Sequence, residues 1–506
     1  MGLNSETRTK SAGKNAVTAI TNKIALLVLT FVSRKLFIKY IGIEYLGING
    51  LFSNVLTLLC MADLGIGIAM NVSLYKPIAE NDYRKISGLL NYFKYIYRMI
   101  ALAVTVIGLG LIPFLKYLVN MDSTIPHLYI YYMVFVFKNT VSYLLVYKSS
   151  LLRADQKTYM INRLEIVVNF SKIVLQLLVV WLLKSYLCFI LLDVLAIAAQ
   201  NIIISALTDK QYKFIDKTVR LEKEEKKNLF GDISSVFLYK IAWSLLNGTD
   251  NILMSVIVGT IYVGLYSNYF TITNTLETLI ALLFNSLTAS IGNLVATTGS
   301  EKRYSTFKSM QMVSFWICGN VAVCILFLVQ DFIGIWVGAQ YRLDNLTVIA
   351  IVLNIFFSTC MRPVWTFREG TGMYKQIRYI MFVTALLNLI LSIVLGKWLG
   401  ISGILFATSI SKISTYFWYE PQILFKKVFN VSPKNYFLEY LFNTLILAVC
   451  ICLCFIPMKY MDGSNIVFWI IKALVCVIIV NIVYLVRYWK TDEFKLLKTK
   501  ILSLKK

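Results

Sequence analysis

The sequence predicts an all-α polytopic membrane protein of about fourteen transmembrane helices, each span needing about 20 apolar residues. They are expected as two six-helix lobes, related as a parallel repeat around a central cavity, with two extra helices at the C-terminal end. Three observations predict this. Of 506 residues, 58% are hydrophobic and the mean hydropathy is +0.70, well beyond a soluble domain. The apolar residues fall into runs of membrane-spanning length. A corner motif, Gly-x-x-Tyr-x-Gly, is written twice: Gly42, Tyr45, Gly47 in YIGIEYLGING, and Gly259, Tyr262, Gly264 in IVGTIYVGLYSN.

In chain order the spans are expected at roughly 14–40, 46–72, 86–118, 128–149, 158–183, 186–207, 229–258, 262–295, 306–330, 345–366, 377–398, 401–424, 437–457 and 464–486. With the N-terminus inside, the inner segments hold about 33 Lys and Arg and the outer ones about 8, which orients both termini to the cytoplasm. The polar start MGLNSETRTKSAGKN runs into an apolar stretch without a small-residue cleavage site and reads as a cytoplasmic tail. The long connection DKQYKFIDKTVRLEKEEKKNL mixes both signs of charge over an amphipathic pattern, and is expected to lie as a helix on the inner surface.

The two corners lie at outer turns six spans apart, in the same orientation. An even number of spans per unit gives a parallel repeat, one of the ways transporters build alternating halves around a midplane site. Gly and Tyr are common at membrane turns in any case, so the weight comes from their equivalent positions in the topology. The domain reading is an N-terminal lobe at 1–207, an amphipathic linker at 208–228, a C-terminal lobe at 229–430, and the last two spans with a basic tail at 431–506.

The formal net charge of +24 does not point to nucleic acid, because basic residues between apolar spans anchor the cytoplasmic face against anionic lipid. The nine cysteines all fall inside apolar runs, where Cys behaves as a small hydrophobe, and they form no metal or disulfide pattern. The only histidine, His127, stands alone at an outer turn. No catalytic residue, metal or cofactor is expected.

Ionisable groups deep in a span cost several kcal/mol unless they meet a wet cavity or a partner, and so mark a pathway. The deep cations are Lys23, Arg34, Arg98, Lys138, Lys172, Lys240 and Lys412; the deep anions are Asp63, Glu165, Asp250 and Glu277. Their excess of cations implies a positive, water-filled interior suited to a large anionic cargo. Lys94, Arg362 and Lys472 are expected to snorkel instead. By the repeat offset Asp250 corresponds to Ser33 and Asn251 to Arg34, which makes Arg34 and Asp250 candidates for an outer gate. The string Asn-Gly-Thr-Asp-Asn at 247–251 breaks an apolar span as discontinuous transporter helices do, so Asp250 is equally a candidate for a coupling proton or cation. Asp63, Asp250, Asn251 and Glu277 form the gate or ion-coupling set.

The stretches FIKYIGIEYLGINGLFSNVLTLLCMADLGIGIAMNVSLYKPIAEND, NGTDNILMSVIVGTIYVGLYSNY and FREGTGMYKQIRY resemble Wzx-like oligosaccharide flippases, the polysaccharide-transporter branch of the multidrug/oligosaccharidyl-lipid/polysaccharide (MOP) flippase superfamily. Asp63 stands where relatives often carry Glu, which keeps the carboxylate. The resemblance implies two six-helix lobes in a V around a cavity in the bacterial plasma membrane. It also implies alternating-access translocation of undecaprenyl-diphosphate-linked oligosaccharide from the inner to the outer leaflet for surface polysaccharide biosynthesis. The expected partners are then the lipid-linked oligosaccharide, membrane lipids, polysaccharide polymerase and glycosyltransferases, and a coupling H+ or Na+. The alternatives are a multidrug efflux transporter of the same superfamily and a membrane-embedded polymerase or glycosyltransferase. Short outer loops and the lone histidine speak against an enzyme.

Overall fold

The computed structural model describes residues 26–60, 66–121, 125–155, 157–222, 225–226, 234–461, 463 and 465–503. Among them every regular element is a helix, as the apolar runs require: with no water in the bilayer core, each backbone N–H must find its carbonyl within the segment. Among the described residues nine helices are long and apolar enough to cross a membrane, or up to eleven if each of two bent helix pairs counts as one span.

The chain divides into two compact units. Unit 1 takes residues 1–117 and 122–234. It holds α1 (26–40), α2 (Ile43–Leu59), α3 (Ile66–Glu80), α4 (Tyr83–Gly110), α5 (Leu128–Leu144), α6 (Tyr147–Ala154), α7 (Thr158–Leu182) and α8 (Tyr186–Gln211). The bend between α5 and α6 is 45°. Helix α5 packs on α4 and α8, and α7 on α8. The core gathers Met70, Leu74, Phe93, Tyr97, Tyr143 and Leu151.

Unit 2 takes Leu118–Met121 and Ser235–Lys506. It begins with α9 (Ser234–Gly248), which continues through Asp250–Leu253 into a π-helical turn, Met254–Val258. Then come α10 (Thr260–Asn285), α11 (Thr288–Thr297), α12 (Ser300–Trp336), α13 (Asn345–Cys360), α14 (Arg362–Thr371), α15 (Tyr374–Ser414), α16 (Tyr416–Leu424), α17 (Lys434–Tyr460), α18 (Ile466–Tyr488) and α19 (Asp492–Ser503). Helix α15 is two spans joined without a loop: Gly400, at φ 61° and ψ −134°, turns the chain between them. The core is an aromatic cluster of Phe307, Phe357, Phe367, Tyr416, Phe425 and Tyr436. Large apolar side chains such as Leu438, Ile456 and Val486 stay exposed on the outside, the surface a lipid solvent demands.

The two corners share one local geometry. Gly42 (φ 117°, ψ 162°) and Gly259 (φ 139°, ψ 146°) each occupy the N-cap position of the helix that follows. Each also closes the preceding helix by donating its N–H five residues back, Gly42 to the Phe37 carbonyl and Gly259 to the Met254 carbonyl. That backbone region is essentially open to Gly alone, which is why both copies keep the residue. Gly338 repeats the conformation (φ 128°, ψ 148°), with its N–H donated to Ile333, so the geometry serves a third outer-type turn that the sequence comparison did not pair. Only the second corner carries a clasp from Leu118–Met121. Ser255 Oγ donates to the Leu118 carbonyl at 2.6 Å, the Thr260 N–H donates to the Asn120 carbonyl at 2.8 Å, and the Asn120 N–H returns to Thr260 Oγ1 at 3.0 Å.

The connection after α8 departs from the expected surface helix. Residues 208–211 complete α8, and 212–222 run as an irregular strap. The cause is on α4: the Asn91 amide donates to the carbonyls of both Asp216 and Val219 at 2.9 Å, and Ser87 Oγ accepts from the Asp216 N–H at 3.1 Å. Backbone groups that a helix would pair internally are satisfied by these side chains instead.

Candidate functional site

Charged clusters sit within the helices of both units. In unit 1, Asp193 lies about two turns into α8. Its carboxylate takes Lys138 Nζ of α5 at 3.3 Å on one oxygen and Lys172 Nζ of α7 at 3.2 Å on the other, while Gln176 donates to it at 3.2 Å. With all three groups charged the cluster is left with one net positive charge, held by hydrogen bonds across three helices. All three charged side chains keep partial access, at 25%, 26% and 15%. The structure thus brings together Lys138 and Lys172, which lie about 34 positions apart in sequence. Asp193 was missed as a deep anion. Its position about two turns inside the expected span 186–207 is the signal that points to it.

The other unit 1 candidates lie elsewhere. Arg98, on α4, is exposed and within electrostatic reach of Lys94 and Tyr147, toward the end where Lys148 pairs with Asp209 at 2.6 Å. Arg34 is half-buried in α1. Glu165 accepts from Gln200 at 3.4 Å. Lys23 and Asp63 fall outside the described residues.

In unit 2, Asp250 lies where α9 gives way to the short turn Asp250–Leu253, followed at once by Asn251. Thr408 Oγ1, on the second half of α15, donates to Asp250 Oδ2 at 3.3 Å and accepts from Asn388 Nδ2, on the first half, at 3.1 Å. The other oxygens of this group, Asp250 Oδ1 and Asn388 Oδ1, are buried without a hydrogen-bond donor. Buried acceptors are nearly always satisfied, so each of these oxygens is a candidate acceptor for a proton or a small hard cation. Lys412, one helical turn beyond Thr408 in the same α15, is buried and within electrostatic range of Asp250 and Glu277. Glu277, on α10, accepts from Ser358 at 2.7 Å. The gate or coupling candidates Asp250, Asn251 and Glu277 therefore share one unit with Lys412. Lys240 is half-buried on α9.

The snorkelling expectation fails for Lys472. Its side chain is buried on α18 and pairs with Asp331 of α12 at 2.5 Å, with Arg342 3.9 Å from the same carboxylate. A carboxylate across the helix interface holds the ammonium more strongly than the distant water layer. Arg362 lies over the Trp365 ring at 5.2 Å. The segment FREGTG supplies a further buried pair: Arg368 of α14 donates from Nη1 to both oxygens of Glu420 on α16, at 3.0 and 3.3 Å.

No protein-family model matches the chain, and neither does any curated protein sequence. Solved structures do. The chain is similar to the lipid II flippase MurJ in an inward closed conformation, with a TM-score of 0.71 at 14% identity over 93% of this chain and 99% of that one. It is similar to an inward-facing multidrug resistance MATE family transporter of the MOP superfamily, with a TM-score of 0.57 at 12% identity over 78% and 93%. A MOP superfamily transporter from Pyrococcus furiosus, described by a reversed polarity of its binding pocket, gives 0.54 at 12% identity over 80% and 94%. At these identities the likeness is one of fold: the chain is a multi-pass membrane protein with the architecture of MOP-type flippases and transporters.

Proposed function

We propose that the protein is a flippase that moves an undecaprenyl-diphosphate-linked oligosaccharide from the inner to the outer leaflet of the plasma membrane by alternating access, for surface polysaccharide biosynthesis. The observation that supports this best is the unit 1 cluster, two cations on one carboxylate inside the spans of a chain that shares its fold with a lipid II flippase. A diphosphate needs fixed cations in a site shielded from water, where charge-assisted hydrogen bonds are strong. Lys138 and Lys172 carry that role, with Arg34, Arg98, Lys240 and Lys412 as further contacts for diphosphate and sugar. Asp250, with Asn388 and Thr408, takes the coupling proton or sodium ion. Glycosyltransferases would supply the cargo, and a polymerase would consume it.

A direct test uses the purified full chain in liposomes holding a fluorescent undecaprenyl-diphosphate oligosaccharide, with an impermeant quencher reporting leaflet exchange. Lys138→Gln with Lys172→Gln is expected to slow exchange by about tenfold or more, the worth of a charged hydrogen bond. Uptake of an organic cation with no lipid exchange would favour the multidrug reading and overturn this one.

A further inference from the structure

A cavity lies at the junction of α16 and α17, within unit 2, and its lining shares no residue with the charged clusters described above. It holds about 860 Å³ and is lined by Trp418, Gln422, Lys426, Asn430, Lys434 and Phe437 among others. That volume falls in the range of ligand sites. Its lining includes two lysines and no acid.

The local sequence explains the shape. Trp418, Gln422 and Lys426 recur every four residues and so form one line along α16 and into the π-helical turn Phe425–Phe429. That turn keeps Phe425, Val428 and Phe429 buried while Lys426 and Lys427 face out. Asn430, in the left-handed region at φ 55°, then reverses the chain. Ser432 Oγ accepts from the Lys434 N–H at 3.4 Å as α17 starts. Phe437, one turn into α17, packs on Trp418 with ring centroids 4.6 Å apart. One end of the cavity is therefore cationic and the other aromatic. The aromatic end continues onto the outer face of α17, where Leu438 and Leu441 are 63% and 59% exposed.

We propose that this cavity is a binding site for one anionic phospholipid of the surrounding membrane, its phosphate between Lys426 and Lys434 and the upper part of an acyl chain against Trp418, Phe437 and Leu441. Charge complementarity selects an anion. The apolar wall, open to the lipid-facing side of α17, selects one that carries a chain. Basic pockets between spans recognise anionic headgroups in this way, and Trp beside Lys at a span end belongs at the headgroup level.

The test is native mass spectrometry of the full-length protein in detergent, titrated with phosphatidylglycerol or phosphatidylcholine of identical chains. The wild-type chain is expected to retain phosphatidylglycerol over phosphatidylcholine by about thirtyfold, at about 1 kcal/mol for each of the two lysines. Lys426→Gln with Lys434→Gln should abolish that preference, and Lys426→Arg with Lys434→Arg should keep it. The control Lys459→Gln with Lys490→Gln, the same charge loss elsewhere, should leave it intact. Trp418→Ala should weaken retention of both lipids. An unchanged preference in the Lys426/Lys434 glutamine variant, or an equal loss in the control, overturns the site. Displacement of phosphatidylglycerol by inorganic phosphate alone would assign the cavity to a free anion and overturn the lipid assignment.

Discussion

Gly259 and Asp193 illustrate two kinds of information carried by single residues. The glycine was visible from the sequence because its conformation is a local property, and Gly42 and Gly259 adopt the same extended, positive-φ backbone. Replacing either by Ala should destabilise the protein by about 1–3 kcal/mol, read as a lowered thermal midpoint of the purified chain. The loss should be matched at both corners, since the strain is the same. Asp193 was not singled out because its importance is relational: only the rotations of α5, α7 and α8 reveal that two lysines converge on it. Asp193→Asn should leave Lys138 and Lys172 facing one another without a counter-charge and destabilise the chain, while the Lys138→Gln change added to it restores part of the loss. A double-mutant cycle in detergent measures that coupling.

At the scale of elements, packing decided what periodicity had misassigned. The connection after α8 has a helical charge pattern, but Ser87 and Asn91 on α4 capture its backbone and draw out an irregular strap. Asn91→Ala is expected to raise amide hydrogen exchange over 212–222 well before the flanking helices respond. Beside that strap, Asp155 accepts from Lys157 at 2.6 Å and from the Tyr212 hydroxyl at 2.5 Å. Burial pushes its pKa up, but these two donors outweigh burial and hold the carboxyl below its ordinary value. A depressed folded-state pKa stabilises the fold at pH above the unfolded value, about 3.9, and loses that contribution as pH falls through the folded one. Wild type should therefore exceed Asp155→Asn in stability at neutral pH, and the gap should close under acid. On the opposite sequence half, the buried Arg368 and Glu420 join α14 to α16. Arg368→Ala is expected to cost about 3–5 kcal/mol by stranding the Glu420 charge, and Glu420→Gln in that background should recover much of it.

For the whole molecule, each unit holds its own charged groups inside the spans. Unit 1 carries two cations on one acid, and unit 2 carries Asp250, Glu277 and Lys412 with unpaired acceptor oxygens at Asp250 and Asn388. Under the proposed function, Asp250 serves ion coupling and is not a cargo contact. Asp250→Asn should lower ion-driven exchange by about tenfold, within the usual span of coupling energies, while binding of the cargo in the absence of a gradient stays near wild type. The measurement is liposome exchange with and without a sodium or proton gradient, set beside cargo binding by the same protein.

The sequence by itself determined the class and the order of the molecule: hydropathy and span length are properties of consecutive residues, and the bilayer leaves a helix as the only answer to them. The twice-written corner was legible for the same reason, since a positive-φ glycine is a local requirement. The tertiary structure decided which charges are partners. Whether Lys138 meets Asp193, Lys472 meets Asp331 or Asp250 meets Thr408 depends on how helices remote in sequence are rotated against one another. No one-dimensional pattern carries that rotation, because it is set by the packing of side chains across interfaces.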